Sequence, residues 1–74
     1  MKTAHINRKA TGEQIRKQME MKGITVKDLS SAIRVSVQSV YGYLRGDKLP
    51  TLQHLLEISQ ILKTPIHDLL ISNN

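Results

Sequence analysis

Helix start and stop signals recur at short intervals along this chain, and they restrict it to a series of short helices. Gly23 and Gly46 are typical helix ends, since glycine readily adopts the left-handed conformation that closes a helix. Ser36 and Thr51 are typical N-caps, whose hydroxyls accept hydrogen bonds from the first helical turn. The spacing of these signals predicts an all-α fold.

Apolar residues recur three and four apart between these signals, which is the helical period. The pattern predicts five helices over residues 12–22, 26–33, 37–45, 52–62 and 65–71. Thr11 and Thr25 are the expected caps of the first two helices, and Asp28 completes a capping box with Thr25. Thr64 and Pro65 would start the fifth. The positions expected to face inward are Ile15, Met19, Leu29, Ala32, Ile33, Val40, Tyr43, Leu44, Leu52, Leu55, Ile58 or Ser59, Leu62, Ile66, Leu69 and Leu70.

The length and residue usage exclude several classes of site. A chain of 74 residues is enough for one small domain. The absence of Cys excludes disulfides and thiolate metal ligands, and the three His, at positions 5, 54 and 67, lack ligand spacing. We therefore expect no cofactor, no metal and no small-molecule ligand. No apolar run approaches the roughly 18 residues of a membrane span, and no signal peptide is evident, so we expect a cytoplasmic protein.

The charge balance is strongly basic. Eleven Lys and Arg against six acids give a formal net charge of +5 and a pI near 9.9. This balance indicates either a polyanionic partner or ordinary solubility charge, and by itself it leaves both open. Single-strand and RNA binders usually stack bases on several rings, whereas the only aromatic residues here are Tyr41 and Tyr43. Duplex DNA is therefore the favoured nucleic acid.

The first ten residues show no clear apolar period and include Lys2, Arg8 and Lys9. They are interpreted as a basic N-terminal arm over residues 1–10, ahead of a folded domain over residues 11–72. Arg8 and Lys9 are the candidates for a minor-groove contact by this arm. The alternative is a frayed terminus that contacts nothing.

The second and third predicted helices are joined by about three residues, which is the helix-turn-helix spacing. The ordered set Gly23, Ile24, Thr25, Leu29, Ile33, Val35, Ser36, Val40, Gly46 and Pro50 resembles the pattern of the Cro/C1-type (XRE-like) helix-turn-helix repressors, and the resemblance covers about residues 11–71. It implies a compact five-helix, repressor-like domain whose helices 2 and 3 form the helix-turn-helix. It also implies sequence-specific binding to double-stranded DNA by a small regulator of phage-like or bacterial type.

The chain departs from the family pattern at four positions. Val26 replaces a Gln that contacts DNA in many members, and Arg34 replaces the turn glycine. Met19 and Leu44 stand where many members have an Arg and a buried Glu. Replacing both partners of a buried ion pair by apolar groups is often neutral or stabilising. We therefore expect Met19 and Leu44 to touch in the core.

The third helix carries the candidate base contacts. With Val40 and Leu44 inward, its opposite face holds Gln38, Tyr41, Gly42 and Arg45. The candidates for base contact are Gln38, Val37, Tyr41 and Gly42. A Gln side chain can bond an adenine in bidentate fashion, and Val37 can contact a thymine methyl. Gly42, which has no side chain, can let the helix approach the DNA closely. The alternatives are a solvated Gln38, a partly buried Val37, a Tyr41 that folds onto a neighbouring helix, and a Gly42 that only makes room for the tyrosines.

A second set of residues is expected to contact phosphates, which positions a protein on DNA but specifies little sequence. These residues are Arg45, Lys48, Lys27, Thr25 and Ser39. For each lysine the alternative is a solvated charge.

The C-terminal part holds more apolar residues than one small core requires. Leu56, Ile61, Leu70 and Ile71 form this surplus, which indicates either a homodimer surface on helices 4 and 5 or additional core. A second function stays open, namely an antitoxin-like or partner-binding module on the same fold, which would bind no specific duplex. The pattern does not indicate an enzyme, since no pair of acids, Ser/His/Asp set or metal spacing is present.

Overall fold

The helices of this protein begin and end at residues that favour helix boundaries. The computed structural model describes residues 5–73. Its helices are α1 Arg8–Lys22, α2 Val26–Ile33, α3 Val37–Arg45, α4 Leu52–Leu62 and α5 Ile66–Leu69. The predicted bounds of the second, third and fourth helices are confirmed, and the first and fifth differ from the prediction.

The helix-turn-helix pair α2–α3 is held by local caps. The predicted capping box of α2 is formed: Asp28 N donates to Thr25 Oγ1 and Thr25 N donates to Asp28 Oδ2, each at 3.0 Å. Hydrogen bonds from the backbone and then the side chain of Thr25 lower the pKa of Asp28. Helix α3 begins after Ser36, whose Oγ accepts from Ser39 N at 3.0 Å.

Within residues 5–73, two residues other than glycine have left-handed backbone conformations. Arg34, at the end of α2, has a φ of 61°, and Lys63, at the end of α4, has a φ of 51°. This conformation costs roughly 1–2 kcal/mol for a residue with a Cβ. The expectation that the α2–α3 turn is built without glycine is thus confirmed, and Arg34 itself takes the positive φ.

The main core cluster draws on all five helices, and Leu55 of α4 is buried outside it. The cluster consists of Ile15, Met19, Leu29, Ile33, Val40, Tyr43, Leu44, Ile58, Leu62 and Leu69. Met19 and Leu44 are 3% and 4% exposed and both belong to this cluster, as the hypothesis of an apolar pair requires. The sequence left Ile58 or Ser59 as the inward residue of α4, and the fully buried one is Ile58.

Helix α1 packs closely against the C-terminal half of α3 because two glycines stand at their contact. A Cβ on Gly12 would lie 2.4 Å from Tyr43 O and 2.5 Å from Leu44 O. A Cβ on Gly46 would lie 2.5 Å from Lys9 Cα. Backbone therefore meets backbone at both points, and this contact holds α3 at its C-terminal end.

The first helix begins at Arg8 and not at the predicted residue 12. The cap is Asn7, whose Oδ1 accepts from Ala10 N at 2.9 Å. Thr11 is buried instead, and its Oγ1 accepts from Ile71 N at 3.0 Å. Arg8 and Lys9 consequently lie in the first turn of α1 and not in an arm. A cap was available at both positions, and the contact of Thr11 with the C-terminal segment decided between them.

Residues 5–7, also expected in the arm, pair with the C-terminal segment. Ile6 and Ser72 form an isolated antiparallel bridge. Asn7 N donates to Ile71 O at 2.7 Å, and Asn73 N donates to His5 O at 2.8 Å. The remaining part of the predicted arm, including Lys2, lies outside the described residues.

The predicted cap of the fifth helix is also wrong. Helix α5 spans four residues after Pro65, and no side chain caps it. Thr64 is buried, and its Oγ1 accepts from the ammonium of Lys22 at 2.8 Å. The same ammonium donates to the carbonyl of Leu62, so Lys22 closes the C-terminal end of α4 from another helix.

Two residues predicted to face inward are exposed. Ala32 lies on the surface, and Leu52, at the first position of α4, is 70% exposed. On α2 the polar Ser30 is buried, with its hydroxyl donating to Lys27 O at 3.1 Å. A short helix buries a narrow stripe, so residues at its margins follow the shape of their neighbours and not the period alone.

Candidate nucleic-acid interface

The outward side of α3 presents a mixed polar and apolar surface. Gln38 is exposed in the first turn, and Val37 and Tyr41 are 39% and 41% exposed. Tyr43, by contrast, is 7% exposed and belongs to the core, as expected for the inward member of the tyrosine pair. Three of the four candidate base contacts are therefore accessible to a ligand.

Gly42 is the fourth candidate, and it is not exposed, because a neighbouring side chain covers it. It is buried, and a Cβ built on it would lie 3.2 Å from Cε of Lys48 and 3.7 Å from Cγ. The side chain of Lys48 thus crosses the helix directly above Gly42. Helical periodicity could not reveal this cover, because it comes from the loop that follows α3.

Lys48 folds back along α3 toward its N-terminal turn. Its Nζ lies 3.3 Å from Ser39 Oγ and 5.5 Å from the ring centroid of Tyr43. The hydroxyl of Ser36 donates to Ser39 Oγ at 3.0 Å, so the contact is continuous with the N-cap. Lys48 and Ser39, two of the predicted phosphate contacts, are brought together here.

Arg45 is engaged by a neighbouring acid. Its Nε and Nη2 both lie 2.9 Å from Asp47 Oδ2, and both side chains are 60% exposed. A surface pair of this kind contributes roughly 0–1 kcal/mol. The guanidinium can therefore leave Asp47 for a phosphate at small cost, and Asp47 lowers the positive potential beside it.

The N-terminal end of α2 carries the remaining predicted phosphate contacts. Thr25 and Lys27 are exposed there. Val26, where many family members have Gln, is half-buried and packs against the core, so its side chain is not offered to a ligand. The first turn of α2 thus presents a hydroxyl, a lysine and backbone N–H groups.

Two residues that shape this interface escaped sequence reasoning. Gly12 sets the close approach of α1 to α3, and Asn7 starts α1 early enough to bring Arg8 and Lys9 beside Gly46. Gly12 gave no clear signal, because the predicted first helix began at that residue. It lies inside α1 as the structure has it, where a glycine costs roughly 0.5–1 kcal/mol relative to alanine without a compensating contact. Asn7 is a good cap residue but lies in a stretch without apolar period.

Two other features, a metal-binding cluster and a membrane-spanning helix, are absent from the part of the chain that the structure describes. Within residues 5–73, no three His, Asp or Glu side chains come together as metal ligands. Over the same residues, no helix has the length and apolar character needed to cross a membrane.

Comparison with known proteins agrees with this geometry. A helix-turn-helix family model matches residues 15–69. The sequence has no significant match among curated proteins. The fold is similar to the clp gene regulator ClgR from Corynebacterium glutamicum, with 28% identity, a TM-score of 0.80 and coverage of 88% of this chain and 69% of that chain.

Two further solved structures share the fold. The BldD DNA-binding domain from S. venezulae is 25% identical, with a TM-score of 0.74 and coverage of 88% and 97% of the two chains. The restriction-modification controller protein C.AhdI from Aeromonas hydrophila is 21% identical, with a TM-score of 0.75 and coverage of 82% and 92%. The family match spans most of the chain and the whole α2–α3 unit. The chain therefore belongs to the XRE family of helix-turn-helix regulators, which bind DNA sequence-specifically.

Proposed function

We propose that this protein regulates transcription by inserting α3 into the major groove of double-stranded DNA, with Gln38 as the principal base-reading residue. The observation that carries the proposal is the exposure of Gln38 in the first turn of α3 while the opposite face of α3 is buried in the core. The N-terminal residues of a recognition helix are those that reach base edges. Val37 and Tyr41 flank Gln38 and complete the base-facing surface.

The proposed phosphate contacts surround this surface. Thr25 and Lys27 lie at the N-terminal end of α2, and Ser39, Arg45 and Lys48 lie on or after α3. Backbone N–H groups at the start of α2 would add to them, because a helix N-terminus favours anions. The role proposed is binding without catalysis. In a phage-like or bacterial setting, the DNA it binds lies in the cytoplasm.

Selection of bound duplexes from a random pool tests this proposal. We expect the wild-type protein to enrich a defined sequence and Gln38→Ala to lose the preference at one base pair. A bidentate Gln–adenine contact contributes roughly 1–3 kcal/mol of discrimination, so the loss is measurable. The matched control is Gln53→Ala, an exposed Gln on α4. Absence of any enrichment by the wild-type protein would favour the partner-binding module, and unchanged enrichment by Gln38→Ala would remove Gln38 from the base-reading surface.

We also propose a homodimer whose contact lies on α4 and α5. Of the apolar surplus expected near α5, Ile71 is 36% exposed and Leu70 is half-buried. Leu52 and Leu56 are 70% and 42% exposed, one helical turn apart. Ile61 packs against the core, so it is not one of the apolar residues available for the interface. Dimers of helix-turn-helix proteins bind two half-sites about one helical turn apart. Sedimentation equilibrium of wild type and Leu56→Lys tests the dimer, with Met21→Lys, at an exposed apolar residue of α1, as the control.

A further inference from the structure

The side chain of Lys48 follows an unusual course across the recognition helix. Lys48 lies in the loop after α3, yet its Nζ is 3.3 Å from the hydroxyl of Ser39 in the first turn of that helix. The stem must therefore run back along α3. A Cβ on Gly42 would lie within 3.2–3.9 Å of Cε, Cγ and Cδ of Lys48. The absent side chain of Gly42 thus opens the channel that the stem occupies.

Three contacts hold Lys48 in this channel. The apolar stem covers Gly42, the ammonium lies 5.5 Å from the centroid of the Tyr43 ring, and Ser39 Oγ accepts a hydrogen bond from the ammonium. Burial of a lysine stem with the charged end in water is favourable, and a cation near an aromatic face adds to it. The conformation of the Lys48 side chain is therefore fixed by its contacts with Gly42, Tyr43 and Ser39.

Stabilisation of α3 does not explain why the Lys48 ammonium lies near the first turn of that helix. A cation near the N-terminal turn of a helix opposes the helix dipole, which favours cations at the C-terminal end. The same placement brings a positive charge to the first turn of α3, which is the turn that carries Gln38. The position of this charge is therefore unfavourable for the stability of α3 but favourable for binding an anionic ligand.

We propose that Gly42 is a positioning residue for DNA binding, and that its function is to let Lys48 reach a phosphate beside the first turn of α3. This inference rests on the proposed insertion of α3 into the major groove. It replaces the alternative that Gly42 lets the helix backbone approach the bases. The two accounts differ in a measurable way, because only the first depends on Lys48.

A double-mutant cycle of Gly42→Leu and Lys48→Ala separates the two accounts. Duplex affinity is measured against salt concentration for the wild type, both single variants and the double variant. Loss of one phosphate contact lowers the salt slope by about 1 and weakens binding uniformly across sequences. We expect each single variant to show this change and the double variant to bind no more weakly than Lys48→Ala. Lys48→Arg, which keeps the charge, should retain the wild-type slope.

Two results would overturn the proposal. One is an unchanged salt slope in Gly42→Leu. The other is a double variant that binds more weakly than Lys48→Ala, since the introduced leucine side chain would then obstruct the DNA itself. Circular dichroism checks that Gly42→Leu folds. If it does not fold, Gly42→Ala takes its place in the cycle, with a smaller change expected in the same direction, because its Cβ displaces the Lys48 stem less.

A measurement without DNA distinguishes failure of this inference from failure of the proposed function. The methylene protons of Lys48 should be shifted by the ring current of Tyr43 in the free wild-type protein, and Gly42→Leu should abolish the shift. A wild-type protein with shifted Lys48 resonances but no duplex binding would contradict the proposed function. Unshifted resonances would contradict the inference even if the duplex is bound.

Discussion

Arg34 has an unfavourable backbone conformation, and the fold accommodates it. Its φ of 61° lies in the left-handed region, and it stands where the family pattern has glycine. Ser30 O accepts from Val35 N at 3.1 Å and closes the turn around it. The turn geometry is therefore preserved, and the cost falls on the conformation of Arg34 alone.

Arg34→Gly should raise the free energy of unfolding by about 1 kcal/mol, because glycine adopts this conformation without a Cβ clash. The gain is reduced by the greater freedom of glycine in the unfolded chain. Denaturant unfolding monitored by circular dichroism measures it. Arg34→Ala is the control, since it removes the side chain and keeps the backbone cost. Equal stability of the two variants would contradict the explanation.

Asp28 gives the chain a pH-dependent cap. Because its folded-state pKa is lowered, it contributes stability above its ordinary pKa, and this contribution is lost as the pH falls through the lowered value. Asp28→Asn should therefore be less stable than wild type at about pH 5, where Asp28 is charged, and this difference should shrink as the pH is lowered below the ordinary pKa of Asp. Unfolding curves above and below that pKa test this, and a difference that is the same at both pH values would argue against a charged cap.

At the scale of elements, the position of α3 depends on how closely α1 can approach it. Gly12 allows two carbonyls of α3 to lie where a side chain would otherwise be. Gly42 also lies in a helix, but the atoms nearest to it belong to the flexible side chain of Lys48. The two glycines thus have the same helix propensity and different surroundings.

Gly12→Ala should destabilise the protein by about 2 kcal/mol, because the backbones of α1 and α3 must separate to accept the Cβ. Gly42→Ala should instead stabilise it by about 0.5–1 kcal/mol, since Lys48 can shift and alanine favours the helix. Thermal and denaturant unfolding of both variants measure the difference. Stabilisation by both would mean that helix propensity outweighs the α1–α3 contact.

The elements also differ in how far local sequence can predict them. Helices α2, α3 and α4 are predictable to the residue because each has a single strong cap and one apolar stripe. The predicted starts of α1 and α5 are wrong, although Thr11 and Thr64 have the local sequence of caps. The hydroxyl of Thr11 accepts from Ile71, 60 residues away in the chain, and that of Thr64 accepts from Lys22, 42 residues away. The candidate site is predictable by face, but the cover that Lys48 places over Gly42 is not.

At the scale of the whole molecule, the formal charge of +5 sets long-range attraction to a polyanion. Its local distribution is modulated by Asp47, which holds Arg45 in a pair at 2.9 Å. Because Arg45 is paired, fewer unpaired positive charges lie beside α3 than the sequence suggests. Net charge alone therefore overstates the positive potential at the candidate interface.

Asp47→Asn should tighten binding to non-specific duplex several-fold at low salt and steepen the salt slope by up to about 1, because Arg45 becomes free to contact a phosphate. Asp68→Asn, which changes the net charge equally on α5, is the control and should change the affinity less. Titration of a labelled duplex at several salt concentrations measures both. Equal effects of the two variants would assign the change to net charge alone.

The sequence alone determined the number of helices, the bounds of α2 to α4, most of the core and the outward face of α3, because caps and periodicity act between residues a few positions apart. Tertiary structure decided where α1 begins, how close it lies to α3, and where Lys48 and Thr11 direct their polar atoms. These features depend on residues that meet only after the helices pack, so no local pattern contains them.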